Sequence, residues 1–476
     1  MNTPHPPRSN SFSARLLPFC LTSSVAALLL FEASTASGQT WVPGAGGSWN
    51  TATNWSPAVV PNAIGASAIF NSPTAARTVT TDSGAGGFTV GAITFDIAST
   101  FSNSLTTGTA GSNLKLDNGG AGATITTTGA GTGNTTISVP LVFNDTVTAA
   151  VNQTSPSSAA GSLNLTAIVS GAGDFTKLGT GLATFGTGAK TYMGATMLNG
   201  GRLRISSAAQ PSATSSFTVN SGGQLTILAA GGTFTFGTGP LNLNGTGPAA
   251  GPFVAFPGAI RNETGAPVVF NNATVLQSNT LLHIEGSATG AITFTNSISG
   301  PGSLTLTAPS SSANQGQLFL NAANSYAGGT FVNGGTIVLN AAAANLGLGS
   351  VTVDDAVSPL SIAKLTIQSS VLNGISDLAT LSLAGGGAAG VADENFVELQ
   401  AGVNEIVSGL TLGGIAQGPG TYGSTLSGAL FENDDYFTGT GIVTVVPEPT
   451  AAALLLGGLC LLAGRRRLSL KPDDFQ

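Results

Sequence analysis

Apolar and polar positions alternate along most of this chain, and its middle shows no helical period. Thr78-Val-Thr-Thr, Ala92-Ile-Thr-Phe, Thr124-Ile-Thr-Thr-Thr and Ile137-Ser-Val each place apolar or small residues at every second position, and glycine-rich turns separate them. A period of two with β-branched residues, broken by turn residues, predicts short strands throughout. The same texture runs from Phe217 to about Asn296, where Gly231-Gly-Thr-Phe-Thr-Phe-Gly reads as a strand between turns. Prolines at 248, 252, 257 and 267 mark 246–268 as an irregular insertion.

The strands recur in a fixed order. TYMGATMLNGGRLRI, Thr191 to Ile205, returns as SYAGGTFVNGGTIVL, Ser325 to Leu339. Each copy places an aromatic residue (Tyr192, Tyr326) two positions before a glycine (Gly194, Gly328), then an apolar pair, an Asn-Gly-Gly corner and alternating apolar positions. Asn-Gly tolerates positive φ, so each copy reads as strand, corner, strand. Upstream, Ser170-Gly-Ala-Gly-Asp-Phe-Thr corresponds to Ser299-Gly-Pro-Gly-Ser-Leu-Thr. The offset between copies grows from 129 to 134 residues, which places five extra residues in the second copy, in the Ser310 to Gln315 loop. A third partial copy, Val219 to Ile227, sets Asn220 21 residues after Asn199, about one turn of a solenoid.

These residues resemble the autotransporter-associated β-strand repeat of large bacterial surface and secreted proteins. The resemblance is specific over 170–206 and 299–340, and it implies an all-β chain, a parallel β-helix or β-solenoid. The expected organisation is a signal peptide over 1–38, an N-terminal cap over 39–76, a solenoid over 77–413, C-terminal cap strands over 414–446 and a tail over 447–476.

Composition suits stacked coils. With 67 glycines and only 7% charged residues in 476, the chain favours strands of limited core volume that bury each rung on the next. All three tryptophans, Trp41, Trp49 and Trp55, fall in the cap segment, where large flat side chains would close the open end of the first rung. Stacking of these rings on sugars is the alternative. At the other end, Gly418-Pro-Gly-Thr-Tyr-Gly423 and Phe437 to Val445, expected as one closing strand, read as the terminal cap.

Charge and reactive residues narrow the function. A net charge of −7 and 14 Lys and Arg remove the basic footprint that nucleic-acid binding needs. From Leu365 to Gly464 there is no Lys, Arg or His, while Asp377, Glu398, Glu405, Glu432, Asp434 and Asp435 are present; a solvated acidic face explains them more simply than calcium. Cys20 and Cys460 lie in terminal apolar runs and His283 is the one histidine of the exported region, so disulfides, metal centres and catalytic triads are not expected. No cofactor and no catalytic residue is expected. Paired carboxylates of a polysaccharide-acting enzyme would have to come from Asp82, Asp96, Asp117, Asp145 or Asp174, which are scattered singly. Threonines that could match a lattice such as ice (Thr126 to Thr128, Thr235, Thr293, Thr295) keep no constant register in sequence.

The two ends read as sorting signals. Arg8 and Arg15, the apolar Leu16 to Phe31 and the small residues before Gly38-Gln39 form a secretory signal. Pro447-Glu448-Pro449, the apolar Ala451 to Gly464, and Arg465, Arg466 and Arg467 resemble the PEP-type C-terminal sorting signal of Gram-negative bacteria. That likeness implies recognition of the Pro-Glu-Pro motif by an exosortase-like membrane enzyme and a temporary anchor in the inner membrane, with the arginines as stop-transfer charges. Positive charge stays cytoplasmic, so the body would lie outside. The expected function is a non-enzymatic surface or matrix protein, structural or adhesive, with extracellular polysaccharide as a possible partner; the alternatives are a β-helical polysaccharide-acting enzyme and an ice- or surface-binding protein.

Overall fold

A computed structural model describes residues 38–152, 163–206, 209–228, 232–285, 290–309, 316–354, 363–385 and 396–446. The sorting motif Pro447 to Pro449, the apolar run, Arg465 to Arg467, the Ser310 to Gln315 loop and all but the last residue of the expected signal lie outside the described residues. Among those described there is no α-helix, and no helix is long and apolar enough to cross a membrane.

The alternating segments form strands that pair in parallel with the next coil and so build three ladders around one core. The first face carries Ala92–Asp96, Ala123–Thr128, Val147–Val151, Phe175–Leu178, Thr196–Leu198 and Phe217–Val219. The second face begins with Arg77–Thr81, Asn103–Thr107, Thr135–Ile137, Leu163–Leu165, Leu182–Phe185 and Gly201–Ile205. The third holds Phe88–Val90, Leu114–Leu116, Leu141–Phe143 and Val169–Gly171, then only single bridges at Lys190 and Pro211, and resumes at Gly232–Phe234. Parallel pairing of consecutive coils is the expected β-solenoid.

The period of two turns every second side chain inward. One inward column runs in register through Ile93, Ile125, Ala149, Lys177, Leu198, Val219, Leu243 and Leu276. Its apolar members are fully buried, each contributing about 1.5–3 kcal/mol when the side chain is Leu, Ile or Val. Lys177 is the exception in the column. Phenylalanines stack similarly between rungs, as Phe70 on Phe95 at 5.0 Å and Phe270 on Phe294 at 5.4 Å.

The tryptophans cap the core. Trp41, Trp49 and Trp55 are no more than 2% exposed, meet edge to face at 4.9–5.0 Å and cover Phe70. Rings buried this way cannot stack on a sugar, which removes the alternative. The expected insertion is shorter than 246–268: Ile260–Asn262 and Pro267–Phe270 are ladder strands, and the irregular part ends at Gly258. Proline is tolerated at 267 because it opens its strand. Phe437 to Val445 is two strands rather than one, Phe437–Gly439 and Ile442–Val445, since Gly439 turns the chain at φ 86°. Similarly, the strand expected around Gly231 is limited to Gly232–Phe234.

Candidate functional site

Each Tyr-x-Gly-x-Thr motif closes a corner. The Tyr192 and Thr196 hydroxyls lie 2.6 Å apart, as do those of Tyr326 and Thr330, and both tyrosines are fully buried. Burial pushes both phenols up, against the pull of the threonine hydroxyl. In the first Asn-Gly-Gly corner Gly201 needs its freedom, with φ 61° and a Cβ position 2.5 Å from the Gly179 carbonyl oxygen; in the second corner Gly334 and Gly335 both have positive φ. Thr196 pairs with Phe217, which confirms a 21-residue coil at this point. Asn220 donates to the Asn199 side chain at 2.6 Å, and Asn244 continues the stack to Gln277 at 2.8 Å.

The two copies do not occupy the same face. Thr196–Leu198 lies on the first face and Gly201–Ile205 on the second. In the second copy, Thr330–Val332 continues the second-face ladder, and Gly335–Leu339 lies on the third. The repeat is thus displaced by one face around the coil. Thr274–Ile284 accompanies this change: its start pairs on the first face and its end on the second.

Outward positions of the second face align in a ten-residue column: Thr78, Ser104, Thr136, Asn164, Thr184, Arg204, Thr226, Arg261, His283 and Thr307. Its first half is uncharged and its second half carries the densest charge among the described residues. Arg202 and Arg204 reach the two oxygens of Glu263 at 2.5 and 3.0 Å, Arg261 approaches Glu263 at 3.5 Å, and Arg261 also pairs with Glu285. The insertion folds over this cluster. Arg202 stacks on Phe253 at 4.3 Å and on Phe256 at 5.0 Å, and Arg261 stacks on Phe256 at 4.8 Å. Gln224 donates to the carbonyls of Phe256, Pro257 and Gly258 at 2.8–3.1 Å. Burial draws the Arg202 guanidinium down to about 10, opposed by Glu263. Three guanidinium groups share two carboxylates, and the geometry is that of a clasp holding a loop.

His283 sits between Thr307 at 3.0 Å and Glu285 at 4.0 Å. Burial, then the charge of Arg261, lowers the imidazole to about 4, and 4.0 Å is beyond hydrogen-bond reach of the carboxylate. The imidazole therefore meets the Thr307 hydroxyl but not the Glu285 carboxylate.

Lys177 and Lys190 were not singled out by sequence. The Lys177 Nζ stands 2.7, 2.9 and 3.1 Å from the carbonyl oxygens of Leu178, Gly179 and Gly200, and burial lowers the amine to about 7. Lys190 donates to Ala167 at 3.0 Å and to Gly188, lies 5.6 Å over the Phe185 ring, and is lowered to about 8 by burial.

The singly placed acids sit at corners. Asp145 accepts from the backbone N–H groups of Asn118 and Gly120 at 2.5–3.2 Å, and Asp174 accepts from Ala195 at 2.7 Å. Asp117 accepts from Asn144 at 3.2 Å on the next coil, so Asp117 and Asp145 share a corner, pinning turns. Asp82 accepts from Thr80, and Asp96 closes its first-face strand. Of the threonines considered for a lattice, Thr126 pairs with Thr94 on the first face, whereas Thr293 lies on the third. Among the described residues no group of three His, Cys, Asp or Glu side chains could hold a metal ion.

A family model described as passenger-associated-transport-repeat matches residues 175–205 and 313–339. Both matches take in the tyrosine corner and end with the strand after Asn-Gly-Gly; the first includes Phe175–Leu178 and Leu182–Phe185 before its tyrosine and the second Gln317–Leu320. The chain carries autotransporter-associated repeats, which suggest a passenger-like exported or cell-surface protein. No curated protein and no solved structure matches.

Proposed function

We propose that this chain is a non-enzymatic exported protein whose β-solenoid body serves as a structural or adhesive element of a Gram-negative surface or matrix. Support comes first from the setting of the matched repeats: their tyrosine–threonine corners and positive-φ glycines are spent on joining coils, not on lining a cleft. The arginines of the second face are likewise engaged by a loop clasp. Pro447, Glu448 and Pro449 serve as the recognition motif for an exosortase-like enzyme, the apolar run holds the chain in the inner membrane until processing, and Arg465 to Arg467 stop transfer. Extracellular polysaccharide is the partner class that an uncharged hydroxyl-lined face would meet.

Expression of the full chain in a Gram-negative host with a cognate sorting system tests this reading. The body becomes accessible to antibody on intact cells, and Glu448→Ala leaves it in the inner-membrane fraction. Recovery of the unprocessed chain from the cytosol, or equal surface display of the Glu448→Ala chain, overturns it.

A further inference from the structure

Large apolar side chains lie exposed where the chain leaves its C-terminal cap. The last strand, Ile442–Val445, runs antiparallel to Gly420–Gly423, which pairs with Phe431–Glu432 on its other side. Gly420 is opposite Val445, and a Cβ on it would stand 2.8 Å from the Phe431 ring and 3.6 Å from Leu430. Leu430, Phe431 and Val446 are 71%, 46% and 38% exposed. Leu430 and Phe431 therefore lie together beside the exit point, whereas Val446 is on the other face of the last strand. Leu426, on the same cap, is 74% exposed.

Chain length says what covers it. From Val446 to Ala451 the chain spans at most about 18 Å fully extended. The fourteen apolar residues that follow, Ala451 to Gly464, reach only about 21 Å as a helix, against a hydrocarbon core of about 30 Å. An anchor that short, closed by three arginines, draws its exit point down to the bilayer. Charge agrees with contact through apolar groups: the cap carries Glu432, Asp434 and Asp435, and no cation occurs between Leu365 and Gly464. With no basic patch at this end, headgroup attraction cannot do the docking, and contact falls to the apolar side chains.

We propose that Leu430 and Phe431 form a membrane-contacting foot that seats the solenoid on the outer leaflet of the bilayer holding its tail. This rests on the reading of residues 447–476 as an anchor. The foot fixes the body against the surface while the tail is held, and tail removal releases it.

The test uses the full chain, processed at its signal, in phosphatidylcholine vesicles. An environment-sensitive fluorophore is placed on native Cys460, or, with Cys460→Ser, on Leu430→Cys or on Thr136→Cys as a distant control. Labels at 460 and 430 shift to the blue and are quenched by lipid-borne quenchers, while the label at 136 stays as in water. Phe431→Cys provides a second position should Leu430→Cys alter the far-UV circular dichroism or the melting temperature. A label at 460 in lipid with labels at 430 and 431 in water overturns the foot alone. Labels at 460 and 430 both in water overturn the anchor and the foot with it. A label at 430 already blue-shifted before vesicles are added overturns the foot by showing that the tail itself covers the patch.

Discussion

Replacing Lys177 by methionine should abolish a pH dependence of stability that the wild type carries. Lys177 occupies an inward core position between Ala149 and Leu198, with no carboxylate beside it and three backbone carbonyls around its nitrogen. Burial lowers its pKa from 10.5 to about 7. Unfolded, it takes up a proton below about 10.4; folded, it resists until about pH 7. The cost of folding is absent above the unfolded value, grows as pH falls, and is complete below pH 7. At about 1.4 kcal/mol per unit, the full cost is on the order of 5 kcal/mol, an upper bound because the three carbonyls favour the ammonium. Methionine removes that cost and leaves the two carbonyls that a neutral amine can serve without a donor, a loss of about 1–3 kcal/mol each. The two changes offset each other in size but not in pH dependence. Urea unfolding followed by far-UV circular dichroism at pH 7.5 and 9.5 separates them: the wild type should gain about 3 kcal/mol on Lys177→Met over this interval. Lys190, lowered to about 8, acts in both proteins and cancels in the comparison. Parallel stability curves would refute the assignment of a neutral amine to the folded core.

Tyr192→Phe and Tyr326→Phe should each cost about 0.5–1.5 kcal/mol, and the two should agree in urea unfolding although the corners lie on different faces, because each hydroxyl meets its threonine at 2.6 Å. Glu263→Gln should cost about 3–5 kcal/mol by leaving Arg202, 1% exposed, without its carboxylate, and limited proteolysis should then cut within 246–258; an intact loop would contradict the clasp. Trp49→Ala should cost about 3–5 kcal/mol by calorimetry and open the N-terminal rung first, seen as loss of hydrogen-exchange protection in Ser67–Phe70 before the central coils.

What the sequence disclosed follows from what a period of two can encode. Alternation together with Asn-Gly-Gly located the strands around Asn199 and Asn333, and it separated outward Arg202 and Arg204 from inward Leu203 and Ile205. The same parity put Lys177 beside Phe175 on the inner side, so the buried lysine was legible in principle as a break in an apolar column. The clasp was not. Arg204, Arg261 and His283 meet only because their coils stack in register, and successive members of the column lie 20 to 35 residues apart, so no fixed period aligns them. The shift of the repeat by one face is also invisible in the residues, since both copies use the same motif and only the ladder each strand joins distinguishes them. Proline misled at 267 because a strand's first residue needs no donated N–H.

Stacking of the second-face column is the most direct test of the solenoid. Spin labels on Thr78→Cys and Thr307→Cys, with Cys20 and Cys460 changed to serine, are joined by nine steps of about 4.8 Å, so pulsed dipolar spectroscopy should return one narrow distance near about 43 Å. A broad distribution, or a maximum well away from that value, would contradict parallel coils stacked in register.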